Sequence, residues 1–485
     1  LLFLKDVFKL ETTLIKRIFG YLPGTIIPAI LTLISLKFFS IHLSIEEFGL
    51  YNYWLTLSIL ISSVFSQWIS QPILRYTTDK KIVYQENVVS FAMIIIIMLV
   101  VITLFFEYFF INNEDYKLYS LITILIFCLT YIQIIYSKLQ VNFEIRKYSI
   151  VKFSESIAKV IFPIIGVSLF VPNTNIIFIF MVIGMFFIIV ITYKILFPIF
   201  IFNYKKLDSK VFLNTSKMYF KFGAPMVLWF SINGIMSFTD RFLLKNFSGY
   251  DSVAIYSANY SLITGSVALI TSPLLLIAHP LLMNKWNKKK HEETGNILSY
   301  FIEIFILLSF LLISLTYINK DLITIIFLND KFTQGNVVMP LILVGFIIWQ
   351  LGMLFHKPIE FSEDTKKIVF AMIIACSINV SLNVILIPKI SYIGAAIASI
   401  ISYTSYSFIV YKWGNKIIKF EVFSEKILIN ILLLTLFLFL KTIESYISFK
   451  NLNEYFSSLL ISFAYIIAYL RINFDRLVIL FKIIK

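Results

Sequence analysis

The chain has 485 residues, of which 59% are hydrophobic and only 14% charged, which excludes a soluble domain of ordinary composition. A formal net charge of +15 would point to nucleic acid in a soluble protein. Here it reflects lysines collected on one side of a membrane, so no nucleic acid partner is expected. Cys128 and Cys376 both lie in apolar runs and the four histidines show no ligand spacing, so no disulfide framework, metal site or cofactor is expected.

Taken in chain order, residues 1–17 carry Lys5, Lys9, Lys16 and Arg17 with no small-residue cleavage site, and read as a cytoplasmic N-terminus rather than a signal peptide. Apolar runs then recur to the end, and Phe91–Phe110, Ile176–Phe202 and Ile297–Ile318 reach the roughly 20 residues that cross a hydrocarbon core. About fourteen spans are predicted, near residues 18–40, 50–74, 88–110, 118–138, 151–171, 175–202, 219–240, 253–283, 297–318, 337–356, 368–387, 393–412, 427–445 and 454–471. A helix satisfies its own backbone in lipid, whereas an isolated strand does not. The loops alternate in charge. The N-terminus and every second loop hold 30 of the 42 basic residues, and the opposite loops hold eight, from Lys117 to Lys450. Cytoplasmic loops retain Lys and Arg, so both termini of this multi-pass chain are predicted to be cytoplasmic.

The two halves carry a weak internal repeat. Phe48-Gly49-Leu50-Tyr51 follows the first span, and Val253-Ala254-Ile255-Tyr256 follows the seventh, about 205 positions on. Each lies after a Pro-containing span and ahead of a second proline, Pro72 or Pro273. Lys159-Val-Ile-Phe-Pro163 has a looser counterpart in Asn383-Val-Ile-Leu-Ile-Pro388. The chain is therefore predicted to be an all-α polytopic membrane protein. Two six-helix bundles, 18–204 and 219–412, are expected to be related by a pseudo-twofold axis along the membrane normal around a central cavity. A cytoplasmic linker over 205–218 joins them, two additional helices occupy 427–471, and 472–485 is a cytoplasmic C-terminus.

Several segments carry a family likeness: Gly20-Tyr-Leu-Pro23, Glu46-Glu-Phe-Gly-Leu-Tyr51, Lys221-Phe-Gly-Ala-Pro225, Ser237-Phe-Thr-Asp-Arg241-Phe-Leu-Leu-Lys245, and Asn383…Pro388 leading into Gly394-Ala-Ala396. In these the chain resembles the polysaccharide-exporter branch, which includes O-antigen flippases, of the multidrug/oligosaccharidyl-lipid/polysaccharide transporter superfamily. The resemblance implies a transporter, not an enzyme, whose cargo is an undecaprenyl-diphosphate-linked oligosaccharide of O-antigen or capsule type. It also implies a glycan polymerase and a chain-length regulator as partners, and H+ or Na+ as a coupling ion. A monomer suffices for such a path.

That cargo needs cations for its diphosphate, and charges at bilayer depth cost about 2.5–3.5 kcal/mol each on insertion scales. Lys159, mid-span, is the first candidate, with Glu155 four residues earlier as a purely structural partner in the rival reading. Arg75 and Lys37 are candidates for substrate contact or for snorkelling, and Tyr256 and Tyr260 for stacking on sugar rings or for packing. Asp240 and Arg241 are candidates for a gate, with interfacial snorkelling as the rival. Asp240 and Glu107 are candidates for ion coupling, while Glu107 and Glu303 also read as helix-packing partners. Tyr51, Tyr53, Trp54, Trp68, Trp286 and Trp413 read as an interfacial belt. No Gly-rich phosphate loop suggests nucleotide hydrolysis. Alternative readings are a lipid II-type flippase, a small-molecule cation exporter, which wants a buried acid-lined pocket, and a membrane-embedded glycan polymerase.

Overall fold

The computed structural model describes residues 23–76, 85–110, 113–142, 144–200, 209–447 and 454–484. Among them the fold is all-α, and every predicted span is helical. Contacts divide the chain into two compact units, Pro23–Ser257 and the segment from Ala258 onward.

The first unit holds α1 (Pro23–His42), α2 (Ile45–Tyr76), α3 (Gln85–Phe110), α4 (Asn113–Val141), α5 (Ile145–Leu169) and α6 (Thr174–Phe200), with the first part of α7 (Ser209–Asn287). The linker expected over 205–218 is helix from Ser209 on, and 205–208 lie outside the described residues. The seventh and eighth predicted spans are one long helix broken at Gly249, whose φ of 78° is a conformation only glycine adopts without strain. The break falls 205 positions after Ser44, where the chain passes from α1 to α2.

The motifs that suggested a repeat are packing devices. A Cβ on Gly49 would overlap the carbonyl of Tyr250 and approach the amide nitrogen of Ala254, which lies 205 positions on. A glycine inside a helix costs about 1 kcal/mol relative to Ala, so close approach, not helix propensity, explains Gly49. Glu47 reaches across to α6, where its carboxylate accepts hydrogen bonds from the Thr174 amide (2.6 Å) and hydroxyl (2.5 Å). A carboxylate satisfies the unpaired donors of a helix N-terminus and opposes its dipole. Tyr51 and Tyr53 correct the interfacial-belt expectation, because both are buried. Tyr51 packs against Phe39 and Phe178 at ring-centroid distances of 5.6 and 5.8 Å, and Tyr53 against Phe238 at 5.4 Å.

The second unit continues from α7 through α8 (His291–Ile318), α9 (Lys320–Phe327), a 3₁₀ turn (Asp330–Gly335), α10 (Val338–Phe355), α11 (Lys357–Phe361) and α12 (Thr365–Ile417). Beyond them come α13 (Glu425–Ile447) and α14 (Glu454–Ile484). α12 fuses two predicted spans across a break at Ile390–Ser391, just after Pro388. α10 and α12 interlock through Trp349, which lies 5.2 and 5.1 Å from the Tyr403 and Tyr406 rings, and through the Ser407 hydroxyl donating to the Ile348 carbonyl (2.7 Å).

Polar links bind α13 and α14 to the rest of this unit. Asn430 and Asn473, both fully buried, exchange amide hydrogen bonds of 3.0 Å. Glu303 of α8 accepts from the Ser424 hydroxyl (2.8 Å) and pairs with Arg476 of α14 (3.3 Å). Bonds of this kind between membrane helices contribute about 0.6 kcal/mol each and fix which helices meet. Glu303 is thus the packing partner its sequence position suggested. Glu303→Gln is expected to leave transport nearly unchanged while the amides of α14 exchange with deuterium several-fold faster. Unchanged exchange would show that Arg476 is not held by this carboxylate.

Eight of the described helical segments are long and apolar enough to cross a membrane, which makes this a multi-pass membrane protein. α5 is not one of them, because Lys152, Glu155 and Lys159 interrupt its apolar run.

Candidate functional site

The interruption of α5 is ordered. Tyr148, Lys152, Glu155, Ser156 and Lys159 recur at steps of three and four, so they share one helix face. Two neighbouring helices carry the same pattern: Gln67, Ser70, Gln71 and Leu74 on α2, and Gln133, Tyr136, Ser137 and Gln140 on α4. With Pro28 and Thr32 of α1 and Phe230 of α7, these faces line a cavity of about 430 Å³ inside the first unit. The three polar faces thus meet at one cavity instead of facing lipid.

Lys159 Nζ donates to Glu155 Oε1 at 2.5 Å, the pairing anticipated from their spacing. The Tyr136 hydroxyl donates to the other carboxylate oxygen. Lys152 Nζ lies 3.4 Å from the Tyr148 hydroxyl and 5.6 and 5.5 Å from the Tyr136 and Tyr148 ring centroids. Gln71 donates to Gln67 at 2.9 Å, which sets the orientation of both amides. Two ammonium groups thus face one carboxylate, a local excess of one positive charge. The amide and hydroxyl groups around them donate and accept hydrogen bonds. This set suits an anion carrying hydroxyl groups. Lysine ammoniums on flexible stems bind phosphate as point charges and tolerate its movement better than a fixed guanidinium fork. Glu155 fixes the position of the Lys159 ammonium on the wall.

Lys152, Tyr136 and the four glutamines escaped the sequence reading, which weighed isolated charges. The signal was the 3.6-residue recurrence of polar side chains within apolar spans, repeated on two adjacent helices and on α5. Of the residues singled out beforehand, Lys159 and Glu155, its partner in the rival reading, lie on this wall. Lys37 is half-buried and elsewhere on α1, and the Arg75 side chain lies outside the described residues.

Asp240, Arg241 and Tyr256 come together, away from the cavity. All three are buried, so the two charges are not snorkelling to an interface. The Tyr256 hydroxyl donates to Asp240 at 2.9 Å. Arg241 donates to the Ser237 carbonyl at 2.8 Å and its guanidinium stands 5.7 Å from the Tyr256 ring centroid. The adjacent charges therefore take different primary partners, as helix geometry requires. Tyr256 is fully buried in this packing, which corrects the expectation that it stacks on sugars. Tyr260 is half-buried in the second unit. Glu107 is buried on the wall of a separate cavity.

The fold has close structural relatives. An inward closed lipid II flippase, MurJ, superposes with a TM-score of 0.69 at 18% identity, covering 94% of this chain and 98% of that one. An inward-facing multidrug resistance MATE family transporter of the MOP superfamily gives 0.63 at 12% identity, covering 82% and 94%. A MOP superfamily transporter from Pyrococcus furiosus, described as having a binding pocket of reversed polarity, gives 0.54 at 14% identity, covering 83% and 95%. At such identities the likeness establishes the fold, which is that of transporters. No curated protein matches the sequence. The sequence signature of the polysaccharide biosynthesis protein family matches residues 14–284, more than half of the chain. The chain belongs to this polysaccharide biosynthesis protein family.

Proposed function

We propose that the protein is a flippase that carries an undecaprenyl-diphosphate-linked oligosaccharide from the inner to the outer leaflet by alternating access. The observation that carries this reading is the cavity of α1, α2, α4 and α5, with two lysines and four glutamines set into an apolar bundle. Lys152 and Lys159 take the diphosphate, and Gln67, Gln71, Gln133 and Gln140 take sugar hydroxyls. Family membership and the likeness to a lipid II flippase support a lipid-linked glycan as cargo. The loop charges set both termini in the cytoplasm with about fourteen spans between them. In that orientation the cavity-lining ends of α2, α4 and α5 lie in the cytoplasmic half, where the cargo is made.

The membrane potential supplies a driving force. Each charge is worth about 2.3 kcal/mol per 100 mV, so moving two diphosphate charges outward releases roughly 4–5 kcal/mol per 100 mV. With Lys152, Lys159 and Glu155 on its wall, the cavity carries a net negative charge when loaded and a net positive charge when empty, so the same potential drives the loaded carrier outward and the empty carrier back. Transport unaffected by collapsing the potential in proteoliposomes would refute this part.

The test of the function is a deletion strain, with lipid extraction, mass spectrometry and an impermeant sugar-modifying reagent applied to spheroplasts. A complete undecaprenyl-linked repeat unit, accumulated and protected from the reagent, is the expected result and identifies the cargo. A unit exposed outside points instead to a polymerase or a later step. No accumulation at all refutes the assignment.

A further inference from the structure

A second cavity, of about 340 Å³, lies between α2, α3 and α4 in the first unit. Its chemistry is the opposite of the first. The walls are largely aliphatic, with Ile61, Ile96, Val100 and Ile126 among them, and Glu107 is their one charged residue. Four aromatic rings complete the lining: Trp54, Phe65, Tyr119 and Phe127. Trp54 and Tyr119 meet edge to face with centroids 5.2 Å apart.

Glu107 is only 7% exposed. One carboxylate oxygen accepts from the Thr123 hydroxyl at 2.7 Å, and the other is buried with no hydrogen-bond partner. The indole nitrogen of Trp54, on the same wall, is likewise buried without a partner. Four other buried or half-buried carboxylates in the described residues have basic partners. Glu155 has Lys159, Glu303 has Arg476, Glu360 has Lys357 and Glu444 has Lys441. Glu107 forms no such ion pair among the described residues. An ionised carboxylate with one hydroxyl partner among aliphatic walls is costly, and that cost is relieved either by protonation or by a positive charge bound beside it.

We propose that this cavity is a second binding site, one that takes a lipophilic organic cation such as a quaternary ammonium with an aromatic or alkyl body. The cation's charge faces Glu107, the rings of Trp54 and Tyr119 add cation–π attraction of about 0.5–2 kcal/mol each, and the body fills the aliphatic space. The volume is at the small end of ligand cavities, which favours compact cations. Leu99 on the wall is exposed on the outside of the bundle, so the route in is from the lipid. The site is independent of the flippase reading, because it shares no residue with the lysine-lined cavity.

The experiment measures binding of radiolabelled benzyltrimethylammonium to the full chain in nanodiscs, with uncharged neopentylbenzene as a shape-matched competitor. Saturable binding is expected, weakened at least tenfold by Glu107→Gln, unchanged by Lys159→Gln and barely displaced by the uncharged competitor. Ile126→Phe, which fills the cavity and leaves the carboxylate intact, is expected to produce the same loss and serves if Glu107→Gln does not fold. Fold is checked by size-exclusion profile and melting. Absence of saturable binding to folded wild-type protein would overturn the proposal. So would equal displacement by the uncharged competitor, or wild-type affinity in a folded variant.

Discussion

Lys159→Gln is expected to lower the flipping rate about 10- to 100-fold in proteoliposomes at equal protein levels. A hydrogen bond to a charged group contributes about 1.5–3 kcal/mol, and each 1.4 kcal/mol is tenfold in an equilibrium. The fold is expected to survive. Glu155 keeps its bond from the Tyr136 hydroxyl and the neighbouring Lys152 ammonium on the wall of a polar cavity, and Lys159 itself is 31% exposed. Lys159→Arg keeps the charge and is expected to retain most of the rate. Wild-type flipping by Lys159→Gln would mean that the lysine serves only as the partner of Glu155, the rival reading raised by their spacing. Adding Lys152→Gln separates the two further. If both ammonium groups hold one diphosphate, the double variant loses more than either single one, and the dependence of rate on membrane potential changes with it.

The second large effect is on folding. Gly49→Ala is expected to destabilise the protein by about 2–3 kcal/mol, and Gly49→Val by more, because the new Cβ overlaps a backbone carbonyl and not a movable side chain. α2 would have to retreat from Tyr250, pulling Phe48 and Tyr51 from the aromatic core that holds α1 and α6. Melting of the purified protein in detergent measures this. A Gly49→Ala variant with unchanged midpoint would show that α2 and the break at Gly249 are not in contact. The same crossing joins positions 205 apart in the chain. Val253, Ala254 and Tyr256 beside it are fully buried, which explains why this pair of tetrapeptides shows through in two otherwise divergent halves.

Helix positions were legible in the sequence because they depend on local properties. An apolar run of sufficient length has one way to satisfy its backbone in lipid, and loops announce themselves by charge. The misreadings were of two kinds. The linker expected at 205–218 is helix from Ser209 on, and the loops expected near 241–252 and 388–392 shrink to breaks at Gly249 and Ile390–Ser391, because polar residues end a hydrophobic run before they end the helix. Tyr51, Tyr53 and Tyr256 were assigned to interfaces or ligands, and the structure buries them, because depth along a span says nothing of which way a side chain faces.

The sequence by itself therefore determined the class of the protein and the positions of its helices, and offered the pairing of Lys159 with Glu155 as one of two readings, all from hydropathy, charge and the helical period. Tertiary structure alone decided which faces meet. Three polar stripes become one cavity only when α1, α2, α4 and α5 are packed around them, and Glu107 becomes a lone acid among aromatic rings only when α2, α3 and α4 enclose it. Neither is encoded in any single span, because the energy of a buried charge depends on what surrounds it in space.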